Sequence, residues 1–217
     1  MLKVRRLVVA VVVMFVFGLP AAGRGAVLLD DNFDSENGGV GQDDYTGFAN
    51  WNVVSGSVDL VGNGSDDFLP GNGLYVDMDG SMGAGGTLES KQTFTLQPGP
   101  YLLQFRLAGA QRPDPNVNTV TVTLGTVFSE SFTLANSDPF ALISRTIFVT
   151  SATSAKLSFA QNGGDNQGLL LDNVTLATGS TGAPALSSGT TLGLCGLLVA
   201  VGLRLLRRTS RRSSQSA

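Results

Sequence analysis

The 217-residue sequence has no histidine and a single cysteine, Cys195. Without histidine the chain cannot build a Ser-His-Asp triad or a histidine-ligated zinc site, and it lacks the commonest general base of enzymes. A lone cysteine also excludes a disulfide within the chain, so stability must come from apolar burial, with or without bound ions. We therefore expect a protein that is not an enzyme.

Basic residues are scarce in the middle of the chain. All 17 acidic residues lie between Asp30 and Asp172, where there are only five lysines and arginines, so this part has a net charge of −12. Such a charge argues against nucleic acid as a partner, because that affinity depends on neutralising phosphates. It suits a soluble extracellular domain or one that binds cations. Fourteen of the acids are aspartate, which favours loops and turns over helices.

The central region has no helical periodicity. From residue 27 to 177, short alternating apolar and polar runs are separated by Gly, Asn, Asp and Pro, which predicts an all-β domain. About ten strands are expected, and 119–124 is the clearest of them. Segments 51–54 and 57–61 predict a hairpin across Ser55-Gly56, and 87–96 predicts one strand. The pattern favours an antiparallel β-sandwich, with a jelly roll as the leading topology.

The N-terminal segment predicts export. Lys3, Arg5 and Arg6 precede an apolar run over residues 7–19, and the small residues Pro20-Ala21-Ala22-Gly23 follow. This order is typical of a signal peptide with a signal helix, here residues 1–26.

The C-terminal segment predicts a membrane anchor. Residues 178–191 form a Ser/Thr/Gly-rich spacer, and residues 192–217 contain an apolar run followed by an arginine cluster. A helix over 192–206 would be about 22 Å long, which is short for a bilayer core of about 30 Å. We expect a short transmembrane helix with an arginine-rich cytoplasmic tail. An ordinary single-pass anchor is the alternative.

The order of motifs in this tail resembles a class of bacterial sorting signal. Small residues around Pro184, a short apolar helix and arginines such as Arg207 and Arg208 follow the layout of PEP-CTERM tails. The usual Pro-Glu-Pro is absent, and Ala183-Pro184-Ala185 stands near its place. The resemblance implies an exosortase-type membrane protease as a partner and a cell-surface or extracellular-matrix location.

Several stretches of the central domain resemble galactose-binding-like jelly-roll modules of secreted carbohydrate-binding proteins. They are Trp51-x-Val53-x-x-Gly56, Leu69-Pro70-Gly71-x-Gly73, Gly99-x-Tyr101-x-Leu103-x-Phe105-x-Leu107 and Leu171-Asp172-Asn173-Val174. The resemblance implies the sandwich fold and extracellular polysaccharide as a partner.

Asp172 is the most informative single residue of the domain. It shares strand parity with Leu170, Val174 and Leu176, an inward face on which a carboxylate is costly unless it is paired or metal-bound. The resemblance implies a structural calcium held by Asp172 with oxygens from among Asp31, Asn32 and Asp34. The alternative is a carboxylate satisfied by Arg106, by Arg145 or by backbone N–H groups, or one turned outward by a bulge. Asp77-Met78-Asp79-Gly80-Ser81 matches an EF-hand start only in part and predicts a turn.

Three residues are candidates for sugar binding. Tyr45 lies in a polar loop, Trp51 is the only tryptophan, and Arg112 lies in a Pro/Asp loop. Aromatic rings stack on sugar faces and a guanidinium binds hydroxyl or carboxylate oxygens. Core packing for Trp51 and simple solvation for Arg112 are the alternatives.

The sequence as a whole predicts an exported, non-enzymatic surface or matrix protein that binds carbohydrate. A purely structural matrix component that associates with itself is the first alternative. The second is a small glycan-active hydrolase, which would need two carboxylates facing each other across a cleft.

Overall fold

The computed structural model describes residues 25–64, 66–112 and 117–179, and these form an all-β domain. The strands are β1 Val27–Asp31, β2 Trp51–Ser55, β3 Asp59–Gly62, β4 Leu74–Asp77, β5 Thr87–Ser90, β6 Phe94–Leu96, β7 Gly99–Ala108, β8 Val117–Leu124, β9 Phe128–Ala135, β10 Ala141–Val149, β11 Thr153–Ala155, β12 Leu157–Asn162 and β13 Leu170–Thr178. A 3₁₀ turn, Glu36–Gly39, follows β1.

The long strands form two antiparallel sheets. The first has the order β10-β7-β13-β4-β3, with β1 paired to β13 as a sixth strand. The second has the order β2-β5-β12-β8-β9, and β6 and β11 form a separate two-stranded ribbon. Strands that are consecutive in sequence often belong to different sheets, so the chain crosses repeatedly from one sheet to the other.

The two sheets pack face to face through the apolar side of each strand. On β7 the alternate residues Tyr101, Leu103, Phe105 and Leu107 are buried, as the two-residue period of a strand requires. Phe105 meets Phe159 of β12 edge to face, with 5.2 Å between the ring centroids. The predicted antiparallel β-sandwich is therefore confirmed.

An ion pair links the edge strands on one side of the sandwich. Arg145 of β10 donates from Nε and Nη2 to the two carboxylate oxygens of Glu130 on β9, at 2.7 and 2.6 Å. These two hydrogen bonds lower the pKa of Glu130 and raise the pKa of Arg145. Arg145 also lies 5.3 Å from the ring centroid of Phe132, so this edge of the core is partly covered.

Two local predictions were wrong. Segments 51–54 and 57–61 are not a hairpin, because β2 and β3 belong to different sheets. Gly56, with a φ of 59°, turns the chain, and the N–H of Ser57 pairs with the carbonyl of Ala84 instead. Residues 87–96 form two strands: β5 pairs with β2 and β12, whereas β6 pairs with β11.

The sandwich has two different ends. The described chain enters at Gly25 and leaves at Gly179, and the backbone of Thr178 pairs there with Ala26. We call this the exit end. The opposite, loop end carries residues 41–46, 56–58, 78–86, 109–112 and 163–169. The segment 63–73, apart from residue 65, joins the other ends of β3 and β4 and folds back, so that Phe68 reaches Arg112 at the loop end. Strand β13, which runs from the loop end to the exit end, spans about 30 Å.

The predicted transport segments fall largely outside the structure described here. The signal peptide, apart from Gly25 and Ala26, and the tail from residue 180 lie outside the described residues. Within the described residues no helix is long and apolar enough to cross a bilayer.

Candidate functional site

An open pocket of about 310 Å³ lies at the loop end of the sandwich. It is lined by Asp59, Val61, Asp66, Phe68, Ser81, Arg112, Asp165, Asn166 and Gln167. Strand β3 supplies the first two of these, and loops supply the others. The lining therefore combines carboxylates, amides, one guanidinium and one aromatic ring.

Asp59 lies at the start of β3 and holds two neighbouring loops in place. Its Oδ1 accepts hydrogen bonds from the backbone N–H groups of Asp44 and Ser81, at 2.7 and 3.0 Å. Its Oδ2 accepts a third bond from the hydroxyl of Ser81, at 2.8 Å. This nearly buried carboxylate thus positions the pocket wall.

Asp77 of β4 pairs with Asp59 in the sheet and is fully buried. Its Oδ1 accepts from the N–H groups of Gly168 and Asp79, at 2.8 and 3.1 Å, and its Oδ2 lies 2.6 Å from Nη2 of Arg112. Burial raises the pKa of Asp77 to about 7, although Arg112 and the two N–H donors act in the opposite direction. Asp77 therefore ties three loops together and binds a proton more readily than an exposed carboxylate does.

Arg112 is the predicted ligand residue that the structure places in the pocket. Besides its ion pair with Asp77, it donates to the carbonyl of Asn166, and its guanidinium carbon lies 4.3 Å from the ring centroid of Phe68. The side chain is 20% exposed, so part of it faces the pocket. The geometry presents a positioned, planar donor beside an aromatic ring.

The surroundings of the pocket are strongly acidic. Asp43, next to this region, has a raised pKa because of partial desolvation and the nearby charges of Asp59, Asp66 and Asp44. Against these acids, Arg112 is the only cation among the described residues that line the pocket. The potential in the pocket disfavours anionic ligands.

The structure does not support Tyr45 and Trp51 as an exposed sugar platform, and that prediction needs correction. Trp51 is fully buried, packs against Phe33 and Phe159, and donates from Nε1 to Oδ2 of Asp31 at 2.9 Å. Its alternative assignment to the core is therefore the observed one. Tyr45 is only 8% exposed, because its ring packs on Phe48.

Asp172, a predicted calcium ligand, is paired with an arginine. Its Oδ2 lies 3.1 Å from Nη1 of Arg106, and its Oδ1 accepts from the N–H of Asn173 at 2.7 Å. Asn173 has a φ of 51°, and the pairing of β13 with β7 is irregular here. Burial, together with the charge of Asp34, raises the pKa of Asp172 to about 6.

The other two predicted calcium ligands make hydrogen bonds of their own. Asp31 accepts from Phe33, Asn50 and Trp51, whereas Asp34 accepts from Asn32 and from the backbone of Leu74. Among the described residues, no group of three or more Asp, Glu, Cys or His side chains is arranged to hold a metal ion. Calcium binding by Asp31, Asp34 and Asp172 stays a prediction.

Sequence reasoning missed several residues of the pocket. Asp66 and Phe68 stand in short runs without any motif, and together with Asp59 they meet Arg112 only in the fold. The Asp77-x-Asp79 pair was visible as a turn signal. The burial of the pair follows from the packing of the 163–169 loop against it. The N–H groups of Gly164 and Asp165 in that loop donate hydrogen bonds to Asp79.

Comparisons with known proteins gave structural similarity only. No protein-family model and no curated protein sequence matches the chain. The arabinose-bound MgGH51 α-L-arabinofuranosidase aligns at 13% identity and a TM-score of 0.44, over 62% of this chain and 24% of its own. The C-terminal CBM6 of LamC, a marine laminarinase from Zobellia galactanivorans, aligns at 14% identity and 0.39, over 64% and 98%. TmCBM61 in complex with β-1,4-galactotriose aligns at 16% and 0.42, over 61% and 90%. Similarity this low assigns no ligand to the present chain.

The buried carboxylates predict how stability depends on pH. Asp77 and Asp172 have folded-state pKa values of about 7 and about 6, against an ordinary value of 3.8. Between pH 4 and 7 the folded state therefore binds more protons than the unfolded state, and the free energy of unfolding falls as pH rises. We expect it to be a few kcal/mol lower at pH 8 than at pH 5, at about 1.4 kcal/mol per pKa unit.

Urea unfolding at the two pH values measures this difference. Asp77→Asn keeps an oxygen for Gly168 and should reduce the difference, whereas Asp30→Asn, at an exposed position, should leave it in place. A free energy of unfolding that rises from pH 5 to pH 8 would contradict the assignment.

The pairing of Asp172 predicts a large effect at Arg106. Arg106→Met leaves a buried carboxylate without its cation, and we expect a loss of about 3–5 kcal/mol in the free energy of unfolding. Arg145→Met, at the half-exposed pair with Glu130, should lower the free energy of unfolding by about 1 kcal/mol or less.

Millimolar calcium provides the separate test of the metal prediction. If calcium is structural, it should raise the melting temperature, and a melting temperature that is the same with calcium and with chelator would contradict the prediction.

Proposed function

We propose that this chain is an exported, non-enzymatic cell-surface or matrix protein whose sandwich binds carbohydrate in the loop-end pocket. The observation that carries the proposal is the pocket itself, where Arg112, held by Asp77, lies beside Phe68 and the amides of Asn166 and Gln167. Sugar sites combine a few positioned polar groups with an apolar surface in this way. The proposal includes the finer topology, a galactose-binding-like jelly roll, and the repeated crossing of the chain between the two sheets supports it.

The lining provides both partners that a sugar hydroxyl needs. Carboxylates of Asp66 and Asp165 accept hydrogen bonds, and the guanidinium of Arg112 donates them, so one ligand hydroxyl can both donate and accept. The ring of Phe68 supplies the apolar contact for a sugar C–H face. Buried aspartates hold two of these groups in place, Asp77 for Arg112 and Asp79 for Asp165, which limits the entropy lost on binding.

The sign of the charge narrows the ligand class. With Asp59, Asp66 and Asp165 around the pocket, a uronic acid or a sulfated sugar would be repelled. Neutral sugars meet no such penalty, and amino sugars gain from the acidic surroundings. The proposed ligand is therefore a neutral or amino-sugar polysaccharide.

The geometry of the domain agrees with display from a surface. The described chain leaves the sandwich at Gly179, about 30 Å along β13 from the loop end. The tail from residue 180, with Pro184, Arg207 and Arg208, is proposed to be recognised by an exosortase-type membrane protease after anchoring. In this arrangement the pocket lies at the end of the sandwich that is farther from the anchor.

Binding assays with immobilised polysaccharides test the pocket. We expect binding to neutral or amino-sugar polymers and none to polyuronates. The double variant Arg112→Gln, Asp77→Asn removes the guanidinium without leaving a buried charge, and it should weaken binding at least about tenfold, as expected for a lost charge-assisted contact. The matched control is Arg106→Gln, Asp172→Asn, which removes the other ion pair with a buried carboxylate, outside the pocket.

Two outcomes would contradict the pocket assignment. Either no polysaccharide binds, or the two double variants weaken binding equally.

Mass spectrometry of the protein recovered from its native cells tests export and sorting. We expect a new N-terminus between residues 22 and 27, because signal peptidase cuts after small residues. We also expect loss of the arginine-rich end after processing near Pro184. Recovery of a cytosolic chain with residues 1–26 and 180–217 intact would overturn this part of the proposal.

A further inference from the structure

The outer face of the first sheet changes from polar to apolar residues near the exit end. Strand register places Phe148 beside Pro100, and it places Leu102 beside Ala177, which pairs with Val27. Phe148 is 71% exposed and Val27 is 62% exposed. We call these five residues the apolar row.

The apolar row is continuous across four strands and ends sharply. Among outward-facing residues at these registers, Thr146 is the only polar one. The next register toward the loop end is wholly polar, with Ser144, Gln104, Thr175 and Asp30. A continuous apolar surface on an exposed sheet face indicates a contact surface, whereas single exposed apolar residues do not.

The chain passes through this same surface. The N–H of Gly179 donates to the carbonyl of Pro100 at 2.7 Å, and Thr178 pairs with Ala26. The next twelve residues, 180–191, are the Ser/Thr/Gly-rich spacer, and the apolar run begins at Leu192. For a twelve-residue linker of Ser/Gly-rich composition, random-coil statistics give an end-to-end distance of about 20 Å. A bilayer holding the apolar run would therefore lie within reach of the apolar row.

Charge favours the same orientation. The acidic pocket region, with Asp43, Asp44, Asp66 and Asp165, lies at the loop end, and an anionic lipid surface repels it. The exit end offers Phe148, Leu102 and Val27, which suit the boundary between headgroups and acyl chains. A bilayer is favoured over a second copy because the chain leaves the sandwich at this face and its apolar run begins only twelve residues later.

We propose that the apolar row docks on the bilayer that holds the C-terminal segment, with Phe148 and Val27 inserted at the interface. This proposal rests on the anchoring part of the proposed function. Docking would hold the exit end of the sandwich at the lipid, whereas the pocket lies near the other end of the same sheet.

The test uses the full chain in vesicles of phosphatidylethanolamine and phosphatidylglycerol. In a Cys195→Ser background, an environment-sensitive fluorophore is attached at Thr146→Cys, beside the row, or at Ser131→Cys, on the outer face of the other sheet. We expect lipids labelled with a quencher to quench the fluorophore at 146 several-fold more than that at 131. Phe148→Ser should abolish this difference in quenching between the two positions. Leu142→Ser, at a similarly exposed position near the other end of β10, should not.

Each other outcome overturns the proposal in a recognisable way. Equal quenching at 146 and 131 in chains that float with the vesicles rejects docking but leaves anchoring intact. Chains that do not float with vesicles reject both. Shielding of the fluorophore at 146 that persists in detergent and weakens on dilution identifies a second copy as the occupant, and shielding independent of dilution identifies the chain's own tail. Glycan binding by the same chains reports separately on the pocket.

Discussion

The packing of two sheets through one apolar layer is the interaction on which the domain depends. A chain whose only cysteine is Cys195 has no disulfide to hold the sheets together, so the buried strand faces must do so. Phe105 lies between the sheets and meets both Phe159 and Phe132 edge to face. The repeated crossing of the chain between sheets means that this layer also determines which loops meet at each end.

Buried carboxylates hold the loops that lie outside the apolar layer between the sheets. Asp59 and Asp77 are adjacent in the sheet, yet each is used differently: the first accepts from two loop N–H groups, and the second joins Gly168, Asp79 and Arg112. Removing such groups from water is costly, and the cost is offset by several hydrogen bonds to each. The same bonds position the walls of the pocket. Stability and the proposed binding site therefore depend on the same few side chains.

The two ends of the sandwich differ in chemistry as well as in position. The loop end is acidic and concave, whereas the exit end carries Phe148, Leu102 and Val27 beside the point where the chain leaves. A strand length of about 30 Å separates the two ends. In an anchored molecule the pocket would lie at the end farther from the membrane, and this relation links the proposed binding, anchoring and docking.

The sequence by itself determined the fold class, because the two-residue alternation of β7 and β8 needs only local information to be recognised. It also singled out Asp172 as a carboxylate on an inward strand face and named Arg106 as one partner for it. Only the tertiary structure decided that Trp51 fills the core, that β2 and β3 belong to different sheets, and that Arg112 reaches Asp77. These outcomes depend on contacts between residues far apart in the chain, such as Asp77 with Gly168, and local patterns contain no information about which distant segments will meet.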